Sequence, residues 1–153
     1  MMKAQKTKSS GLLTIGYEGK TQDEYLAQLR AAGVTLLCDV RANPLSRKKG
    51  FSKRALAEAC MATGIRYEHL PELGIAKAER KDVRTPEQKA ALFAHYARAT
   101  LPKETEALAK IRGWLDAGER VALTCFERDA CECHRHCVAE VLAREGVGAA
   151  VDL

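Results

Sequence analysis

The chain has 153 residues, 46% of them hydrophobic and 29% charged, a balance that suits one folded domain with its own core and excludes a disordered chain. Its formal charge of +5 favours anionic partners, although Lys3, Lys6 and Lys8 supply part of it. No apolar run approaches the roughly 18 residues of a membrane span, and Met1 to Ser10 lack the apolar stretch of a secretory signal. The expectation is a cytoplasmic protein with no membrane contact, a flexible tail over 1–10 and one domain over 11–153.

Leu12 to Ile15 is a short apolar run closed by Gly16, and Thr21 has the place of an N-cap before a helical pattern of Tyr25, Leu26, Leu29 and Ala32. Gly33 stops that helix. Val34 to Val40 is then nearly continuous in apolar residues, as expected of a central strand covered on both faces. Asn43-Pro44 to Gly50 is a basic, exposed loop, after which Ser52 caps a helix carrying Leu56, Ala59 and Cys60 as far as Gly64. Ile65 to Leu70 is a weaker strand, and the polar stretch from Pro71 to Thr85 is expected to be mobile. Pro86 opens a helix with Leu92, Phe93 and Tyr96, and Pro102 opens another with Leu108, Ile111 and Leu115. Val121 to Thr124 is a buried strand, His134 or Arg135 starts a helix with Val138, Val141 and Leu142, and Ala149 to Leu153 is the last strand.

The order βαβαβααβαβ predicts an α/β fold: a single three-layer domain with a mainly parallel sheet of about five strands joined by right-handed crossovers. Open sheets of this kind bind ligands beyond the carboxyl ends of their strands. Three loops fall there: Gly16-Tyr17-Glu18, Asp39-Val40-Arg41 and Cys125-Phe126-Glu127.

Asp39 at the end of a buried strand must find a partner, and Arg41, two residues on and so on the same face, is the nearest. Two readings stand side by side: a structural ion pair, or an arginine held as a fixed fork toward an anion. The string from Cys125 to Cys137 is denser still. A thiolate at Cys125 or Cys133 would be a nucleophile, with Glu127 or His134 as proton carrier, Asp39 nearby, and Arg135 at a helix start holding an anionic group. Arg47 and Ser46 in the basic loop, and Tyr17, Tyr67 and His69, complete the candidate ligand-binding set, the last two reading more readily as half-buried support.

The same string contains potential zinc ligands in Cys125, Cys131, Cys133, His134, His136 and Cys137. Structural zinc sites generally draw paired ligands from two distant segments, and here all but Cys125 lie in one stretch, so no cofactor is predicted and zinc is the alternative. Cys137 in the first helical turn reads equally well as packed core.

Thr14-Ile15-Gly16-Tyr17-Glu18-Gly19, Asp39-Val40-Arg41 with Pro44, Ser46-Arg47, Phe51-Ser52, Tyr67, His69-Leu70, Leu73-Gly74, and Cys125 with Glu127 and Cys133-His134-Arg135 together resemble the bacterial and archaeal family known as domain of unknown function 488. The likeness runs along nearly the whole chain and implies a compact α/β domain with the shared polar residues at one site, without supplying a reaction. The chain departs from the pattern where Leu73-Gly74 continues into Ile75-Ala76-Lys77, a place where another glycine or proline is expected, and Cys131, His136 and Cys137 are additions to it. A weaker architectural likeness is to rhodanese-type sulfurtransferases, with Cys125 placed like their reactive cysteine. The stretch from Cys125 to Arg135 is too long for a compact anion cradle of that type.

The leading expectation is therefore a small enzyme acting on a phosphate-bearing ligand such as a nucleotide or nucleic-acid end. Sulfur transfer through a persulfide on Cys125 is one alternative. A non-enzymatic nucleic-acid-binding or zinc-binding module is the other; the aromatic content of 5% counts against single-strand recognition by stacking.

Overall fold

A computed structural model describes residues 11–153; the expected tail over 1–10 lies outside the described residues. Five parallel strands, β1 (Leu12–Gly16), β2 (Leu36–Asp39), β3 (Arg66–His69), β4 (Val121–Cys125) and β5 (Val151–Asp152), form one sheet in the order β3-β2-β4-β1-β5. The helices are α1 (Gln22–Ala31), α2 (Lys53–Ala62), α3 (Lys77–Arg80), α4 (Pro86–His95), α5 (Thr105–Asp116) and α6 (Arg135–Leu142). This is the α/β fold read from the sequence, with every strand pair parallel.

Alternation along each strand divides the core in two. Leu13, Ile15, Leu37 and Ala122 face one way and pack with Tyr25 and Leu29 of α1 and Leu56 and Cys60 of α2. Leu12, Leu36, Cys38, Val121 and Leu123 face the other way, against Leu108 and Ile111 of α5 and Val138 and Leu142 of α6. Helices on both faces make three layers, and β2 is buried on both sides as its apolar run requires. It is not the central strand, however: β4 holds the middle, because the β3 to β4 connection returns across the sheet and inserts between β2 and β1.

That return defines the site. The connections after β1 and β2 run along one face and those after β3 and β4 along the other. A crevice opens beyond the carboxyl ends of β1, β4 and β2, where the direction changes. The register sets Gly16 level with Cys125 and Asp39 level with Thr124.

Local chemistry accounts for most boundaries. Thr21 caps α1 with a full capping box shared with Glu24, and Thr85 does the same for α4 with Gln88. Ser52 does sit at the N-cap of α2, but its hydroxyl bonds Ser46 instead of the helix, tying the two ends of the basic loop. Pro102 lies in a 3-10 turn before α5, which starts at Thr105. The segment 71–85, expected to be mobile, contains a 3-10 turn and α3, and Leu73 and Ile75 are buried in the core. Its polar composition concealed those two apolar anchors and the bond from the Tyr96 hydroxyl to the Leu73 carbonyl. β5 is short, with its two residues exposed.

Candidate functional site

A cleft of about 380 Å³ lies at this strand edge, and its wall includes Tyr17, Arg41, Cys125, Glu127, Cys133 and His134. Stretches nearly ninety residues apart in sequence are thus brought to one place. The joint is direct, because the His134 ring bonds the Val40 carbonyl through Nε2 at 2.8 Å.

Two glycines make the approach feasible. A Cβ on Gly16 would collide with the Glu127 carbonyl, and one on Gly74 would collide with the backbone of Ala42, next to Arg41. The loops after β1 and β4 therefore close on each other, with the Glu18 amide donating to the Phe126 carbonyl at 2.8 Å, and the turn after β3 closes on the loop after β2.

Arg41 is buried, and four of its five guanidinium N–H donors are engaged. Nε and Nη2 donate to the two oxygens of Asp39 at 2.8 and 2.7 Å, and Nη1 donates to the Phe51 carbonyl at 2.7 Å and the Tyr17 hydroxyl at 3.1 Å. Burial works against this charge, but the bonded Asp39 carboxylate prevails and holds the guanidinium more firmly protonated than usual. Tyr67 donates its hydroxyl to Asp39 and is pushed up by burial and by the Asp39 charge, while His69 bonds the Arg41 carbonyl at 2.7 Å. Tyr17 stacks on Phe51, with ring centres 4.5 Å apart. These bonds make a network that anchors the loop, with Arg41 also on the cleft wall and Tyr67 and His69 outside it.

The second cluster is arranged differently. Arg135, with 0% exposure, donates through Nη1 to Cys125 Sγ at 3.2 Å and to the Glu127 carbonyl at 2.7 Å, and through Nη2 to the Arg128 carbonyl at 3.2 Å. Its Nε has no partner, and none of the ion pairs among the described residues includes it. Burial lowers its proton affinity. Arg135 therefore faces inward onto the sulfur, away from any anion in the cleft.

Cys133 is buried just ahead of α6 and is joined to Cys125 in a disulfide, with Cα atoms 7.1 Å apart, beyond the roughly 4.4–6.8 Å that such bonds ordinarily span. His134 Nδ1 stands 3.7 Å from Cys133 Sγ, and burial, partly offset by the bond to Val40, pulls the imidazole down to about 4. It is neutral at neutral pH. Glu127 Oε1 is 4.0 Å from Cys125 Sγ.

The remaining candidates lie elsewhere. Arg47 is exposed and Ser46 is half-buried in its loop bond, and neither lines the cleft. Cys131, His136 and Cys137 line a separate cavity with Glu140, and burial pushes the Cys137 thiol up to about 11. The six potential zinc ligands therefore split, and among the described residues the group whose ligand atoms come within 4.8 Å of one another is Cys125, Cys133 and His134. Two cations on the cleft wall escaped the sequence reading: Arg80 at the end of α3, and Lys89, which pairs with Glu132 at 3.0 Å. Arg80 lies in the polar stretch 71–85 and Lys89 on α4, neither within a motif, so only folding identifies them.

Among the described residues no helix is long and apolar enough to cross a membrane. No curated protein and no solved structure matches the chain. A family model does, over residues 21–142, a span that contains the Asp39 and Arg41 network, Cys125, Glu127 and the Cys133-His134-Arg135 turn: the chain belongs to the family described as Domain of unknown function DUF488.

Proposed function

We propose that the protein is a small cytoplasmic enzyme acting on a small phosphate-bearing ligand, with its reactive centre at the thiolate of Cys125. One observation carries this reading: a fully buried guanidinium that makes no ion pair among the described residues and whose side-chain hydrogen-bond partner is the Cys125 sulfur. A buried charge without a counter-charge is costly. Asp152 and Glu127 act on this charge without touching it, and reduced Cys125 as a thiolate supplies a counter-charge in direct contact; the thiolate is the form of cysteine that attacks electrophiles and binds metals.

The cleft volume of about 380 Å³ is that of a small-molecule site. The anion-holding role expected of Arg41, Arg47 and Arg135 passes in this proposal to Arg80 and Lys89, the cations on the cleft wall with no buried carboxylate to satisfy. Glu127 is placed to carry a proton between ligand and solvent.

Sulfur transfer is the less favoured reading on geometric grounds. A persulfide formed on Cys125 would be attacked by the adjacent Cys133 thiol, giving the Cys125–Cys133 disulfide and releasing hydrosulfide before any acceptor was reached. The test is a thermal-shift series with inorganic phosphate and a panel of nucleoside mono- and diphosphates. At least one should raise the melting temperature, and the Arg80→Ala, Lys89→Ala double variant should lose that rise. A flat response to all of them, or a rise untouched by the double variant, contradicts the proposed ligand.

A further inference from the structure

We infer that reduced Cys125 and Cys133, together with His134, hold a zinc-class divalent cation whose remaining coordination position opens into the cleft. This rests on the thiolate reading of Cys125 and specifies what the pair of sulfurs is for.

Three features of the geometry point this way. The ligand atoms of these three residues gather within 4.8 Å of one another, and a tetrahedral ion with zinc–sulfur and zinc–nitrogen bonds of about 2.3 and 2.0 Å places neighbouring ligands roughly 3.6–3.8 Å apart. His134 Nδ1 and Cys133 Sγ already stand at 3.7 Å. Second, the other ring nitrogen of His134 is bound to the Val40 carbonyl at 2.8 Å. A carbonyl can only accept, so Nε2 carries the proton and Nδ1 turns its lone pair toward the sulfurs. A histidine that ligates a metal is characteristically oriented in this way by its outer nitrogen. Third, the Cys125 sulfur accepts from Arg135 at 3.2 Å, a bond that a metal-bound thiolate retains.

Charges also balance. Two thiolates neutralise the divalent ion, and Arg135, in contact with the Cys125 sulfur, also feels the Asp152 and Glu127 charges. Binding needs no electron transfer once the disulfide is reduced by a cellular thiol; each cysteine gives up its proton to solvent as the ion enters. Three protein ligands with one open position is the arrangement of catalytic zinc, not structural zinc. The open position faces the volume lined by Glu127, Arg80 and Lys89, where it can take a water or an oxygen of the ligand. The extra residues Cys131, His136 and Cys137 lie in the neighbouring cavity and take no part.

Full-length protein purified with reductant and without chelator is the material for the test. Metal analysis should find about one zinc per chain in the wild type and in Cys131→Ser, with at least about a tenfold drop in Cys133→Ser and His134→Gln. Cobalt added to the metal-free wild type should produce the bands of a tetrahedral thiolate complex, a readout that does not depend on any variant folding. Wild-type protein that takes up neither zinc nor cobalt, or metal that follows Cys131 instead of Cys133 and His134, overturns the inference. Loss of phosphate binding with metal content intact would instead count against the proposed function alone, and a metal-free protein that still binds phosphates would count against this inference alone.

Discussion

Arg41 and Arg135 are both buried, with exposures of 7% and 0%, and both stand at the same edge of the sheet, yet their surroundings differ in kind. Arg41 is enclosed by a carboxylate, a carbonyl and a phenol. Arg135 meets two carbonyls and a sulfur, and one of its nitrogens has no partner. A network of the first kind, centred on a carboxylate, does structural work. An incompletely satisfied charge of the second kind favours an ionised partner, and in the proposed function that partner is reduced Cys125, which borders the cleft. Arginine content alone cannot separate the two roles; the counter-charge does.

The comparison is broken most directly at Asp39. Asp39→Ala leaves Arg41 buried and unpaired and should cost about 3–5 kcal/mol in urea unfolding, whereas a loss under about 1 kcal/mol would mean the network is not structural. Next in size is Gly16→Ala, whose methyl meets the Glu127 carbonyl that accepts from Arg135. It should destabilise by about 1–3 kcal/mol and disturb the thiol cluster while the Asp39 and Arg41 pair persists, with the urea midpoint and the reactivity of Cys125 toward an alkylating reagent as readouts.

A third effect depends on pH. Burial holds His134 near 4 against an ordinary value of 6.5, so between those limits the unfolded chain binds a proton that the folded chain refuses. Stability is full above the ordinary value and declines as pH falls through the window. In chelator-treated protein the decline attributable to His134 should be on the order of 1–2 kcal/mol once solvent screening is allowed for. His134→Gln should flatten it; a profile identical to wild type would contradict the burial argument. Smallest is Arg47→Ala, an exposed change expected to move stability by less than about 0.5 kcal/mol and to leave phosphate-induced thermal shifts unaltered.

Much of this was legible in the sequence. The Thr21 cap, the apolar runs of β1, β2 and β4, and the gathering of three polar loops at one edge follow from local rules that tertiary packing did not override. The segment 71–85 was misjudged because two buried apolar residues, Leu73 and Ile75, are diluted among charges, and periodicity has no power over so short an anchor. Within the site, the residue types were readable and their roles were not. The sequence places Arg41 near Asp39 and Arg135 in the string after Cys125, but only the third partners, Tyr17 and Phe51 in one case and the Glu127 and Arg128 carbonyls in the other, show how each arginine is held. The separation of Cys125, Cys133 and His134 from Cys131, His136 and Cys137 likewise arises from the turn into α6, which sends alternate ligands to two different cavities.

Central to all of this is the charge on one sulfur. The ultraviolet absorbance of thiolate, measured at neutral pH on reduced, metal-free protein and compared with Cys125→Ser, counts it directly without requiring a reagent to enter the cleft. The account predicts that the variant lacks the absorbance of one thiolate and that Arg135→Met lacks it too. Equal absorbance in wild type and Cys125→Ser would show a neutral thiol beside Arg135 and contradict the account.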